Sequence, residues 1–154
     1  MNDKMRVAVV FGGKSGEHEV SLRSAASVID ALPKDKYEVV LVGITKAGRW
    51  VLGEAAANLL AGKSETAAER LVLPADLVFP VLHGTFGEDG TIQGLFEMAD
   101  LPYVGAGVAA SAVGMDKVLM RSLFRQAGLP VVDAAFDLRD RWRREPESIV
   151  DEVE

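Results

Sequence analysis

An α/β fold, with a mostly parallel sheet and helices on both faces, is predicted by three features of the 154-residue chain. Short β-branched runs near residues 7–11, 39–44 and 77–82 show almost no polar alternation, as expected for strands covered on both faces. Segments with apolar residues at helical spacing alternate with those runs, which is the pattern of a wound parallel sheet. Glycine-rich stretches follow the first and the third run directly, where ligands bind in such folds, at the carboxyl ends of the strands.

Each element has its own signal. Met5 to Phe11 is the first strand, ending at a glycine pair, Gly12 and Gly13. Between Glu17 and Leu32 the apolar residues Leu22, Ala25, Ala26, Ile29 and Leu32 recur at intervals of three and four, predicting an amphipathic helix stopped by Pro33. Tyr37 to Thr45 is a second strand, and Lys46 to Arg49 a turn into a short strand at Trp50 and Val51. A helix is expected from Glu54 to Leu60, a surface connection over 61–70, and an edge strand at Leu71 to Leu73. Leu77 to Leu82 is a buried strand in which Pro80 removes a ladder donor, marking a sheet edge or a strand end.

The loop His83 to Gly90 leads into a helix from Thr91 to Ala99, after which Tyr103 and Val104 form a brief strand. Gly105 to Met115 is rich in small residues and reads as helix or loop. Asp116 is placed to cap a helix from Lys117 to Ala127, with Leu119, Leu123, Phe124 and Ala127 on one face and Gly128 as its stop. Leu129 to Val132 and Ala134 to Leu138 have extended character. Pro146 suits the first turn of a last helix, whose narrow apolar stripe is Ile149, Val150 and Val153.

Composition removes several functional classes. Hydrophobic residues make up 49 % of the chain and charged residues 26 %, which is globular usage rather than that of a disordered chain. With no cysteine there is no disulfide scaffold, zinc ribbon or thiol nucleophile, and two histidines leave little for a histidine-rich metal site. The net charge is -6, concentrated over 133–154, and no basic face suggests a nucleic-acid partner. The longest uncharged stretch, Leu101 to Met115, contains a proline and three glycines and falls short of the roughly 18 apolar residues of a membrane span. Val7 to Phe11 is too short an apolar run for a signal peptide, so a cytoplasmic protein is expected.

Three motifs carry the chemistry. GGKSGE, Gly12 to Glu17, puts glycines before a helix, an arrangement that offers backbone donors to an anion. It is not the GxxxxGK[ST] phosphate loop, because the leading glycine would fall at Ala8. Nor is it the dinucleotide GxGxxG, because Phe11 holds the first glycine's place and no ribose-binding acid follows the second strand. A plain tight turn explains it equally well. HGTFGEDG, His83 to Gly90, is more pointed: its glycines let backbone approach a ligand, and His83 can donate to a substrate group. Glu88 and Asp89 are better explained as caps of the following helix. MDK, Met115 to Lys117, sets a lysine in a helix's first turn, where the dipole favours acids, which invites an anionic partner. A solvated surface lysine remains the plainer explanation of that residue alone.

GGKSGEHEVSLRSA (12–25), FPVLHGTFGEDGTIQG (79–94) and LPYVGAGVAASAVGMDK (101–117) together resemble the N-terminal part of D-alanine-D-alanine ligase, with residues 46–75 matching only loosely. The resemblance implies a Rossmann-like pre-ATP-grasp domain over 1–117, then a helix and linker over 118–154 leading toward an ATP-grasp region. It implies that the carboxylate of a first D-alanine attacks the γ-phosphate of ATP and that the amine of a second D-alanine attacks the acyl phosphate, in peptidoglycan precursor synthesis. Glu17 matches the acid that engages the first D-alanine's ammonium, Val20 lines its methyl pocket, and Ser21 falls beside them. His83 matches a histidine near that substrate's carboxyl, and Glu17 and His83 are the implied catalytic pair. Lys117 matches a lysine on ATP phosphate. Magnesium or manganese is implied as well, with ligands outside this chain, so the 154 residues alone are expected to be inactive. A homodimer is implied too. Open alternatives are a D-alanine-D-lactate or D-alanine-D-serine ligase, and a non-catalytic amino-acid-binding module on the same fold.

Overall fold

The structure is a computed structural model that describes residues 4–63 and 75–153. The edge strand expected at Leu71 to Leu73, and most of the connection before it, lie outside the described residues. The chain divides into two compact units, Met1–Met115 and Asp116–Glu154.

In the first unit the order is β1 (Met5–Gly12), α1 (His18–Ala31), β2 (Tyr37–Ile44), β3 (Trp50–Leu52), α2 (Gly53–Leu60), β4 (Leu77–Pro80), α3 (Thr91–Met98) and α4 (Val108–Met115). The sheet runs β3-β2-β1-β4. β1 pairs in parallel with β2, from Met5 opposite Tyr37 to Gly12 opposite Ile44, and with β4, from Val7 opposite Leu77. Among the described strands, only β3 is antiparallel, joined to β2 by a turn. β4 ends at Pro80, as its missing donor requires, although the Val81 amide still donates to the Val10 carbonyl at 2.7 Å. The short strand expected at Tyr103 is a single parallel bridge to Val78.

Side-chain alternation along β1 divides the core between two faces. Val7, Val9 and Phe11 pack with Leu22 and Ala25 of α1 and with Ala56 and Leu59 of α2. Ala8 and Val10 pack on the other face with Ile92 and Phe96 of α3, beside Val42 and Val78. Each fully buried side chain of this size contributes about 1.5–3 kcal/mol, so the central strand anchors both layers. Both layers converge on the sheet's carboxyl end, where β1 and β4 release the two glycine-rich loops.

The second unit holds α5 (Lys117–Gln126), α6 (Arg139–Arg144) and α7 (Pro146–Val153). Asp116 caps α5 as expected, its carboxylate accepting from the Val118 and Leu119 amides at 3.0 Å each. The stretches 129–132 and 134–138 contain no regular strand. α6 was not foreseen, because RDRWRR has no apolar stripe; Asp140 in its first turn and three arginines in its last suit the helix dipole instead. Arg141 ties this unit together through Asp137, Glu145 and Glu152, and the Glu152 carboxylate in particular holds its guanidinium pKa above the ordinary value. Among the described residues, no helix is long and apolar enough to cross a membrane.

Candidate functional site

The site is built where the loop after β1 meets the loop after β4. Ser15 does the joining: its hydroxyl donates to the His83 carbonyl at 2.7 Å and accepts from the Glu17 amide at 3.2 Å. α1 begins one residue later than expected, at His18, leaving Glu17 as its cap residue. The Glu17 side chain makes no capping hydrogen bond, so its exposed carboxylate is not consumed by the helix end. That carboxylate lies against Gly84, where an added Cβ would stand 2.6 Å from Glu17 Oε2. A side chain at 84 would make the Glu17 carboxylate swing aside, and φ of +69° there is a backbone conformation that favours glycine.

Along α1, Glu17, Val20 and Ser24 follow at spacings of three and four and share one face. Val20 is 38 % exposed. Half-buried His83 places Nε2 3.1 Å from Ser24 Oγ, which fixes the imidazole beside this row. Glu17, Val20 and His83 are therefore brought together.

Ser21 is not on this surface. It is fully buried; its hydroxyl accepts from the Gly12 amide at 2.8 Å and donates to the Val81 carbonyl. It ties β1's end to the chain leaving β4, beneath the site, and the expected direct contact with a ligand is corrected to a positioning one. The reason is helical geometry: one residue beyond Val20 turns the side chain about 100° into the core.

His18, which sequence patterning did not single out, is buried, with Nδ1 2.7 Å from the Gly13 carbonyl. A carbonyl only accepts, so Nδ1 carries the proton and pins the glycine turn. Ser15 and Ser24 were also missed. Their only sequence signals are Ser15's place two residues before Glu17 and Ser24's place two helical turns after it.

Glu88 and Asp89 brace the second loop rather than cap α3 with a full box. Glu88 Oε2 accepts from the Gly84 amide at 2.7 Å, while Asp89 accepts from the Phe86 amide at 2.9 Å and the Thr91 amide at 3.0 Å. Partial burial alone would raise the Asp89 pKa, but hydrogen bonds from Phe86 and Thr91 outweigh it and hold the carboxyl below its usual range. A depressed carboxyl contributes stability above its unfolded pKa of about 3.9 and loses it as pH falls through the lower folded value. The Phe86 and Thr91 amide chemical shifts are therefore expected to titrate below about pH 3.9, and the Asp89→Asn variant to abolish that step.

Lys117 belongs to the second unit, where it is the exposed first residue of α5 behind the Asp116 cap. Among the described residues, no group of His, Cys, Asp and Glu side chains could hold a metal ion.

Residues 6–106 match the family model described as the D-ala D-ala ligase N-terminus, which spans both loops of the site. The chain belongs to the D-alanine-D-alanine ligase family. It is 46 % identical, over an alignment 171 positions long, to a D-alanine-D-alanine ligase of Heliobacterium modesticaldum, covering 98 % of this chain and 47 % of that protein. To the corresponding ligase of Solibacter usitatus it is 52 % identical over 130 residues, 84 % of this chain and 37 % of the relative. Among solved structures, the D-alanine-D-alanine ligase of Coxiella burnetii superposes with a TM-score of 0.81 at 34 % identity, over 97 % of this chain and 49 % of that one. The VanG D-Ala:D-Ser ligase of Enterococcus faecalis gives 0.77, also at 34 %, over 97 % and 48 %. This member of the ligase family thus spans about half the length of the relatives it matches.

Proposed function

We propose that this chain supplies the first-substrate site of an ATP-dependent ligase that joins two D-alanines into D-alanyl-D-alanine for cell-wall precursor synthesis. The observation that carries the reading is the meeting of Glu17 with Gly84, one residue from His83 and one turn from exposed Val20. A D-alanine there finds an acceptor for its ammonium at Glu17, a donor for its carboxylate at His83 and an apolar surface for its methyl at Val20. Glu17 stands at a helix N-terminus, where the dipole favours an ionised carboxylate. The substrate's ammonium takes no part in bond formation, so Glu17 holds it, while the carboxylate, steered by His83, is the nucleophile toward ATP. Ser24 and Ser15 act through His83, and Ser21 and His18 through the loop backbone.

ATP is the co-substrate of this reading, and Lys117 is the residue assigned to its phosphates, since an ammonium beside them offsets charge that develops in transfer. The divalent ion of such ligases finds no matching carboxylate cluster among the described residues, and its ligands are assigned outside this chain. The same reading divides the chain into a substrate domain, 1–117, and a helix and linker, 118–154. It also entails a homodimer and a cytoplasmic location.

In the full-length protein, Lys117→Ala is expected to raise the KM for ATP while shifting stability by no more than about 0.5 kcal/mol, as exposed changes do. Paired thermal melts and ATP kinetics check this; unchanged ATP kinetics would return Lys117 to a solvated surface role. A second reading, ligation of D-alanine to D-serine, is supported by the VanG D-Ala:D-Ser ligase, whose 34 % identity equals that of the Coxiella ligase. Product analysis of the full-length enzyme offered D-alanine with D-serine or D-lactate separates the two, because both share the first substrate.

A further inference from the structure

On the α3 face of the sheet, behind the loop that carries His83, lies a cavity of about 330 Å³. Glu17 and Val20 do not line it, whereas His83 does. Its wall is chiefly Ile44, Trp50, Leu82, Ile92 and Leu95, with Phe86 closing one side. This volume and composition are those of small-molecule sites, which are mostly apolar with a few placed polar groups.

Among the described residues, no acidic side chain lines the cavity, whereas Lys14 does. The lysine stem crosses Gly48, where a Cβ would come within 2.8 Å of Lys14 Cδ, and its ammonium stands 5.5 Å from the Phe86 ring centroid. Phe86 reaches that place in a left-handed backbone conformation, φ 68°, which is unfavourable for a bulky residue and is braced by Asp89 accepting from its amide. Among the described residues the Lys14 ammonium makes no ion pair, and a ring face satisfies a cation less fully than an anion does.

We propose that this cavity is a second ligand site, bordering that of the first substrate at His83, which takes a small organic anion with an aromatic or branched aliphatic body. The body replaces water along Trp50, Leu82 and Ile92, and the anionic end meets Lys14. A zwitterionic amino acid is disfavoured, because its ammonium would find no acid on the wall and would face the lysine.

The probe is 4-phenylbutyrate, compared with its uncharged amide, 4-phenylbutanamide. Both are titrated into the full-length protein and into its Lys14→Met, Leu95→Trp and Trp50→Phe variants, with binding read by saturation-transfer NMR and by quenching of tryptophan fluorescence. The acid is expected to bind saturably and about 5-fold more tightly than the amide, the scale of a solvent-accessible ion pair. Lys14→Met should erase that preference and keep amide binding, Leu95→Trp should remove both, and Trp50→Phe should remove the quenching. Leu95 is 47 % exposed, so its replacement leaves the core intact, and a thermal melt checks this. Absence of saturable binding, equal affinities for acid and amide, or displacement by D-alanine would overturn the proposal. So would binding lost as protein concentration rises, which would assign the cavity to a second copy of the chain. Because binding is read without turnover, such a failure leaves the ligase reading untouched.

Discussion

Glu17→Gln in the full-length protein is expected to raise the KM for the first D-alanine by about 10- to 150-fold, the equivalent of losing one charge-assisted hydrogen bond worth about 1.5–3 kcal/mol. The amide keeps the size of the side chain, so the approach to Gly84 survives and only the charge is removed. Stability should fall by no more than about 1 kcal/mol, the helix-dipole contribution, since the carboxylate makes no capping hydrogen bond and is exposed. The KM for ATP should stay where it is. Initial-rate kinetics with each substrate varied in turn check the prediction; a shift in the ATP constant alone would place Glu17 at the wrong substrate.

Ser21→Ala is expected to cause the largest loss of stability among the residues around the site, about 2–4 kcal/mol. The hydroxyl bridges the Gly12 amide and the Val81 carbonyl in a place closed to water. Alanine leaves a donor and an acceptor buried without partners, each costing about 1–3 kcal/mol. Urea denaturation should show a lower midpoint at an unchanged slope. Because Gly12 and Val81 lead into the two loops, the KM for D-alanine should rise in the same variant. A midpoint that does not move would mean that water reaches both groups and that the tie is dispensable.

Ser21 also shows where sequence reasoning stops. The β-branched runs and the three-and-four spacing of apolar residues gave the strands and the first helix to within a residue or two, because burial on both faces of a central strand leaves a strong compositional mark. Periodicity says which way a side chain points only once the helix phase is known. A one-residue step therefore separates Val20, open to solvent, from Ser21 in the core, and both looked equivalent in the motif. The tie from Ser15 to the His83 carbonyl joins residues 68 positions apart, and no local pattern encodes it. Buried His18 escaped for a similar reason: its partner is a backbone carbonyl, which every residue possesses. α6 was missed because its charged sequence carries no apolar stripe. By contrast Asp116 was legible as a cap, since a carboxylate preceding a helix bonds amides two and three residues on.

A crystal of the full-length protein soaked with D-alanine is expected to show the ligand's ammonium at hydrogen-bonding distance, about 2.7–3.2 Å, from the Glu17 carboxylate, with the methyl over Val20 and the carboxylate beside His83. D-alanine bound elsewhere, with Glu17 left to solvent, would contradict this placement.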